Sequence, residues 1–114
     1  MRVIVAGSRD VVNTSNVFNR LSLSTFDITE VVCGGARGVD SIGRQWAKEA
    51  GIPVKMFPAY WDKYGKSAGY RRNVDMAKYA DALIAIWDGE SRGTKHMIDI
   101  ANEKGIPAEV YILK

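Results

Sequence analysis

Residues 31–57 read VVCGGARGVDSIGRQWAKEAGIPVKMF and have the pattern of one strand–helix–strand unit. An apolar run at residues 31–33 ends at a glycine-rich turn, and apolar side chains then recur at the spacing of one helical face. Gly51 followed by Pro53 is typical of a helix end, because glycine adopts the left-handed conformation and proline cannot continue a helix. A second apolar run follows at residues 54–57. Such short runs without polar alternation favour strands covered on both faces, as in parallel sheets.

The same alternation extends over the chain. Further strands are predicted at residues 3–6, 82–87 and 110–113, and helices near residues 15–23, 39–50, 71–79 and 94–104. A shift of 54 residues places Gly51-Ile52-Pro53 on Gly105-Ile106-Pro107. The repeat indicates either two units with the same packing requirements or two matching half-sites. We predict one α/β domain over residues 1–114, a doubly wound parallel sheet of about five strands with helices on both faces.

Composition excludes several classes of protein. The 114 residues are 46% apolar and 25% charged, which is typical of one soluble globular domain. The lone Cys33 excludes an internal disulfide framework and favours a cytoplasmic location. No apolar run approaches the ~18 residues of a membrane span, and the N-terminal run is too short for a signal peptide. His96 is the only histidine, so no His-Cys metal cluster can form and we expect no metal site. We also expect no cofactor.

Three glycine-rich loops, at residues 7–9, 34–38 and 88–94, follow predicted strands. Because the carboxyl ends of parallel strands meet at one edge, we expect these loops to converge there. Glycine lets backbone N–H groups approach an anion, and helix N-termini favour negative charge. Each loop also carries an arginine, whose fork matches phosphate oxygens. The pattern predicts a phosphate site; the alternative is that the glycines only permit tight turns and the arginines point to solvent.

The connection at residues 58–69 is rich in aromatic side chains and is predicted to be a loop. Its Tyr60, Trp61 and Tyr64 are candidates for stacking on a nucleobase, for covering a small core, or for a subunit interface. Arg72 and Asn73 follow near a helix start, where they are placed either to reach a phosphate or ribose or to lie in solvent. The chain has neither the Gly-x-Gly-x-x-Gly dinucleotide fingerprint after its first strand nor a Walker-type phosphate loop.

The ordered motifs resemble one family over nearly the whole chain. They are Gly7-Ser8-Arg9, Cys33-Gly34-Gly35-Ala36-Arg37-Gly38-Val39-Asp40, Phe57-Pro58-Ala59 with Trp61, Ala68-Gly69-x-x-Arg72-Asn73, and Trp87-Asp88-Gly89-x-Ser91-Arg92-Gly93-Thr94. The chain resembles the YspA/YpsA-related branch of the SLOG superfamily, whose members occur in phage genomes as well and are often labelled a domain of unknown function. The resemblance implies a Rossmann-like fold, for which we expect strand order 3-2-1-4-5, and a nucleotide-derived ligand.

Two departures from the superfamily bear on catalysis. Its phosphoribohydrolases carry a glutamate three residues after the Gly-Thr pair, where this chain has Met97. This branch also usually has an aspartate where Tyr60 stands. Asp40 and Asp88 are the candidate replacement carboxylates, with Asp99 further along the helix, although Asp40 is equally placed to favour its helix N-terminus by its charge.

We therefore predict a nucleotide-binding sensor or sequestering protein. The alternatives are an N-glycosidase acting on nucleoside monophosphates and a binder of single-stranded DNA like the DNA-processing protein DprA. The net charge of +3 argues against DNA. We expect no membrane partner, and the exposed aromatics favour a homo-oligomer. The predicted ligand-binding residues are Gly7, Ser8, Arg9, Gly34, Gly35, Ala36, Arg37, Gly38, Asp40, Trp61, Arg72, Asn73, Asp88, Gly89, Ser91, Arg92, Gly93 and Thr94.

Overall fold

The protein forms one five-stranded parallel sheet. The structure is a computed structural model and describes residues 1–10, 13–35 and 37–112. The strands are β1 (Arg2–Gly7), β2 (Glu30–Cys33), β3 (Val54–Met56), β4 (Ala82–Trp87) and β5 (Ala108–Ile112). Their order is β3-β2-β1-β4-β5, which confirms the predicted topology. Within the described residues, no helix is long and apolar enough to cross a membrane.

Helices connect the strands. They are α1 (Thr14–Ser22), α2 (Val39–Ala50), α3 (Trp61–Tyr64), a 3₁₀ turn (Gly65–Ser67), α4 (Ala68–Tyr79) and α5 (Arg92–Lys104). Helices α2 and α5 end alike, because Gly51 and Gly105 both have φ of 72°. The residue after each of these glycines donates its N–H to a carbonyl of the last helical turn, at 2.8 and 3.1 Å. The two Gly-Ile-Pro segments are thus matching helix caps.

Two apolar layers cover the sheet. Successive strand residues point to opposite faces, so Val3 and Val5 belong to one core and Ile4 and Ala6 to the other. The first core receives α1 and α2, through side chains such as Val17. The second receives α4 and α5. The molecule is therefore a three-layer, Rossmann-like α/β/α domain.

The connection at residues 58–69 differs from its prediction as a loop. It contains α3 and the 3₁₀ turn, and α4 begins at Ala68 rather than near residue 71. A four-residue helix shows no apolar periodicity, because it completes only one turn. Strand β5 begins at Ala108 rather than residue 110, and the end of the predicted run, Leu113, lies outside the described residues.

The strand order reverses between β1 and β4, and their ends are joined closely there. Ser8 donates its N–H to the Ile86 carbonyl at 3.2 Å, and its hydroxyl accepts the N–H of Asp88 at 2.9 Å. A Cβ atom on Gly7 would lie 2.0 Å from the Ile86 carbonyl oxygen, so only glycine fits at this approach. Ligand crevices of open α/β sheets lie at such a reversal.

Candidate functional site

A cleft of about 230 Å³ opens beyond the end of β1. Its floor and walls combine the end of β1, the first turn of α5, the inner face of α4 and the aromatic connection. We call it the α5 compartment. Its lining residues are Ala6, Gly7, Arg9, Asp40, Trp61, Lys66, Gly69, Tyr70, Arg72, Asn73, Met76, Ser91, Gly93, Thr94 and Met97.

A second cleft of about 380 Å³ adjoins the first beyond the end of β2. We call it the β2 compartment. It is lined by Arg9, Gly34, Gly35, Met56, Pro58, Ala59, Trp61 and Arg72. Arg9, Trp61 and Arg72 line both compartments, and we call these three residues the partition. The two clefts are therefore neighbours, and we call them together the composite site.

Arg72 is the central cation of this site. It lies on α4, and its Nη1 donates a hydrogen bond to the carbonyl of Gly34. Its Nε is buried and has no hydrogen-bond partner among the described residues. Burial lowers the pKa of Arg72, the Asp40 carboxylate opposes that shift, and the nearby Arg9 adds to it. The guanidinium stays protonated, since arginine does not lose its charge in proteins.

The Gly34 backbone is fully engaged with the protein itself. Its N–H donates to the Asp40 carboxylate at 3.1 Å, and its carbonyl accepts from Arg72. A Cβ atom on Gly34 would lie 2.5 Å from Nη1 of Arg72. Gly34 therefore makes room for an arginine, and its N–H is already used by a protein carboxylate.

The first turn of α5 forms the opposite wall. Backbone N–H groups in the first turn of a helix have no intrahelical acceptors, and here Gly93 and Thr94 of that turn line the α5 compartment. The side-chain amide of Asn73 donates to the Gly93 carbonyl at 3.2 Å, which ties α4 to α5. The Ser91 hydroxyl accepts from the Thr94 hydroxyl at 3.4 Å. This wall presents hydroxyls and a helix N-terminus to a ligand.

His96 contacts two residues that line the α5 compartment, Asn73 and Tyr70. Its Nδ1 lies 3.2 Å from the Asn73 amide, and its ring contacts the edge of Tyr70 at a centroid distance of 4.4 Å. Burial lowers the pKa of His96, although Asp99 and Glu103 oppose that shift. The lowered pKa favours the neutral ring, whose unprotonated nitrogen can accept a hydrogen bond from the Asn73 amide.

Most of the predicted ligand-binding residues lie on the composite site. Those lining a compartment are Gly7, Arg9, Gly34, Gly35, Asp40, Trp61, Arg72, Asn73, Ser91, Gly93 and Thr94. Those lining neither compartment are Ser8, Arg37, Gly38, Asp88, Gly89 and Arg92. Ala36 lies outside the described residues. Their role in binding remains a prediction for the whole set.

Structural contacts account for several of the residues outside the compartments. The Asp88 carboxylate accepts N–H groups from Glu90 and Ser91, each at 2.8 Å, and these bonds lower its pKa. Gly38 has φ of 74°, and a Cβ atom there would lie 2.4 Å from the Ser8 carbonyl oxygen. Arg37 is exposed. Asp88 and Gly38 therefore shape the turns that carry the site.

Sequence reasoning missed part of the lining. Lys66, Met76 and Met97 line the α5 compartment, and Met56 lines the β2 compartment. Met97 is 1% exposed and belongs to the core, so its apolar helical spacing concealed its place at the cleft. Lys66 lies in the 3₁₀ turn, where no pattern indicated its direction. The one hint for Lys66 in the sequence is that it is a cationic residue in a connection that lies beside the glycine-rich loops.

Cys33 is inaccessible to solvent and acts as a small apolar residue of the core rather than as a nucleophile. It is fully buried, and its thiol donates to the Met56 sulfur at 3.3 Å. Burial and the Asp40 carboxylate raise its pKa, so the nucleophilic thiolate is disfavoured. Among the described residues, no group of three metal-ligating side chains comes together.

Comparison with known proteins identifies the family. The family model described as "YspA, cpYpsA-related SLOG family" matches residues 1–64. The chain belongs to this family. It is also 36% identical over 116 residues to the Gene 61 protein of Mycobacterium phage D29, covering 93% of this chain and 92% of that protein. No solved structure matches it. The family match covers β1 to α3, whereas Arg72 and the first turn of α5 lie beyond it.

Proposed function

We propose that this protein binds a nucleotide or nucleotide-derived small molecule in the composite site and leaves it chemically unchanged, as a sensor or sequestering protein does. The observation that carries this proposal is the buried, unpaired Nε of Arg72. A buried donor without an acceptor costs about 1–3 kcal/mol. An anionic oxygen that enters the cleft and draws the guanidinium toward it recovers that cost.

The charge of the lining supports an anionic ligand. Arg9, Lys66 and Arg72 supply three positive charges. Asp40 supplies the single carboxylate among the lining residues, and it already accepts the Gly34 N–H. Two arginines held close together repel each other, and a phosphate between them replaces that repulsion with two attractions.

The contacts of the carboxylates favour binding over hydrolysis. Met97 lines the cleft and has no group that can transfer a proton. Asp88 holds its own turn through two backbone N–H groups. Asp99 is exposed and forms an ion pair with Lys95 at 2.9 Å. Asp40 is the candidate carboxylate that lines the cleft, and it accepts the Gly34 N–H at 3.1 Å. Each of the three candidate carboxylates thus already has a partner within the protein.

The test is a retention experiment with a panel of nucleoside monophosphates, NAD, ADP-ribose and cyclic nucleotides. The purified protein is mixed with the panel, ultrafiltered, and the filtrate compared by LC–MS with a protein-free control. We expect one compound to be depleted intact and recovered on denaturation. Arg72→Lys keeps the positive charge but loses the planar guanidinium with its paired N–H donors. This variant should weaken retention about 10- to 150-fold, which is the expected effect of losing one hydrogen bond to a charged group.

Arg20→Lys is the matched control, because Arg20 is exposed, lies on α1 and lines neither compartment. It should retain the compound as the parent protein does. A free base that accumulates with turnover would instead make the protein an N-glycosidase. No depletion of any compound would refute nucleotide binding in this cleft.

A further inference from the structure

The two edge strands of the sheet, β3 and β5, are protected to different degrees. Each follows a Gly-Ile-Pro segment. β3 has only three residues, with Lys55 at its centre and Pro58 two residues after its end. Short strands, lysines and prolines are features that keep a sheet edge from pairing with another chain. β5 has five residues, none of which is lysine or proline, so it is the longer and less protected edge.

The backbone of β5 directs hydrogen-bonding groups away from the sheet. Leu83 of β4 donates its N–H to the carbonyl of Pro107 at 2.9 Å, which shows that this carbonyl faces β4. The N–H and C=O of one strand residue point to the same side, and successive residues alternate, so every second residue after Pro107 also faces β4. The intervening residues face outward, where β5 has no neighbouring strand among the described residues. They are Ala108, Val110 and Ile112.

The side chains of β5 do not protect this edge by charge. Its one charged residue, Glu109, accepts hydrogen bonds from the hydroxyls of Ser24 and Thr25, at 2.5 and 2.8 Å. The carboxylate is therefore held against the segment that follows α1. The exposed side chains of the strand are apolar, because Val110 is 41% and Ile112 is 56% exposed.

We propose that β5 pairs with β5 of a second copy of this chain, antiparallel about a two-fold axis at Val110. In this register Val110 faces Val110 of the second copy, and Ala108 faces Ile112. Each of these positions directs its N–H and C=O outward, so each facing pair exchanges two hydrogen bonds. The two five-stranded sheets join into one continuous sheet.

The charges at this edge select the register. With the axis at Val110, Glu109 faces Tyr111 of the second copy, and the Arg20 guanidinium lies 4.5 Å from the centre of that tyrosine ring. An opposite charge therefore lies near each Glu109. Moving the axis by one residue places either two Glu109 residues or two Arg20–Tyr111 pairs opposite each other, and facing like charges destabilise a strand pair.

The pairing covers apolar surface and does not occupy the composite site. Besides Val110 and Ile112, it involves the region of Leu23, which is 77% exposed and directly precedes Ser24, a partner of Glu109. No residue of β5 lines either compartment. The proposed dimer is therefore independent of nucleotide binding.

The first test measures the oligomeric state of the protein by sedimentation velocity over a concentration series. We expect a dimer whose population falls on dilution. Val110→Lys places two ammonium groups opposite each other at the axis and removes an apolar contact, so it should weaken the dimer at least about tenfold. Met56→Lys is the matched control, because Met56 is 43% exposed and lies on the other edge strand. This control should dimerise as the parent protein does.

Disulfide trapping tests the register. Facing Cα atoms of a hydrogen-bonded antiparallel pair lie about 5.5 Å apart, within the range of about 4.4–6.8 Å that a disulfide spans. Val110→Cys should therefore cross-link two copies in the presence of oxidised glutathione, which takes up the two thiol hydrogens. Ile112→Cys is the control, because the two copies of position 112 lie four residues apart along the paired strands, roughly 14 Å. Cys33 is buried in both variants and should not react.

A protein that stays monomeric up to millimolar concentration would overturn the proposal. A dimer that Val110→Lys leaves as tight as the parent dimer would also overturn it, because another surface must then form the contact. Cross-linking of Ile112→Cys as fast as that of Val110→Cys would refute the two-fold register. These outcomes do not depend on the retention experiment, which tests the proposed function separately.

Discussion

Replacing Gly34 with alanine tests the link between the glycine loop and Arg72. The added Cβ would lie 2.5 Å from Nη1, 2.7 Å from Cζ and 2.9 Å from Nε of Arg72. Ordinary carbon contacts lie at about 3.5–4.0 Å, so the guanidinium must move by roughly 1 Å. This movement breaks its bond to the Gly34 carbonyl and displaces the central cation of the partition.

The expected loss of affinity follows from the contact with the ligand that the displaced Arg72 guanidinium no longer makes. A hydrogen bond to a charged group contributes about 1.5–3 kcal/mol, which corresponds to a roughly 10- to 150-fold weaker dissociation constant. The free energy of unfolding also loses the Arg72–Gly34 hydrogen bond, but the clashing atoms are the tip of a flexible side chain that can shift to relieve the contact. Gly34 does not have a positive φ, so alanine is allowed there and gains about 0.4–1 kcal/mol from the less flexible unfolded chain.

The assay pairs calorimetric titration of the retained compound with thermal unfolding followed by circular dichroism. Gly34→Ala should lose affinity while its Tm stays within about 8 °C of the parent, the shift that roughly 1 kcal/mol causes in a small domain. Gly93→Ala is the control for unfolding, because nothing lies within 4 Å of its added Cβ. An unchanged affinity in a Gly34→Ala protein that folds normally would show that Arg72 does not hold the ligand.

Three further perturbations have defined outcomes. Gly38→Ala should lower the free energy of unfolding, measured by urea titration, by about 1–3 kcal/mol or more, because φ at Gly38 is 74° and the added Cβ would meet the Ser8 carbonyl oxygen. A loss of stability no larger than that of Gly93→Ala would contradict this expectation. The folded-state pKa of Asp88 is depressed below its usual 3.8, so its contribution to stability is complete above that pH and is lost as the pH falls through the folded pKa. Asp88→Asn should accordingly flatten the dependence of Tm on pH below about 4, and an unchanged acid slope would count against the turn contacts. Arg92→Gln, at an exposed residue outside both compartments, should leave calorimetric affinity within twofold, and a tenfold loss would extend the site to that arginine.

The sheet and the longer helices could be predicted because their signals are local. Continuous apolar runs identify covered strands, and the Gly51-to-Pro53 and Gly105-to-Pro107 segments set the ends of two helices within one residue. The short helix α3 and the 3₁₀ turn after it could not be predicted, because one turn carries no periodicity and its stability comes from its neighbours.

The glycines show why the site was harder to predict than the fold. Glycine permits a close approach, but its identity does not indicate what approaches. At Gly7 the neighbour is a carbonyl of β4, and at Gly34 it is the Arg72 guanidinium. Both positions were predicted from the sequence as phosphate contacts. Only the three-dimensional packing distinguishes a gap for a ligand from a gap already filled by the protein.

Trp61 allows ligand binding at the partition to be followed by tryptophan fluorescence. The chain has three tryptophans. Trp46 donates to the Ser22 hydroxyl at 3.1 Å on the α1/α2 side, and Trp87 donates to the Ser91 carbonyl at 3.0 Å. Trp61 is 50% exposed and lines both compartments, so a ligand that stacks on it excludes water from its indole. Ligand binding should then change the intrinsic fluorescence of the protein without any added label. The Trp61→Phe protein is the control, because it keeps the other two tryptophans and lacks the one that lines the site.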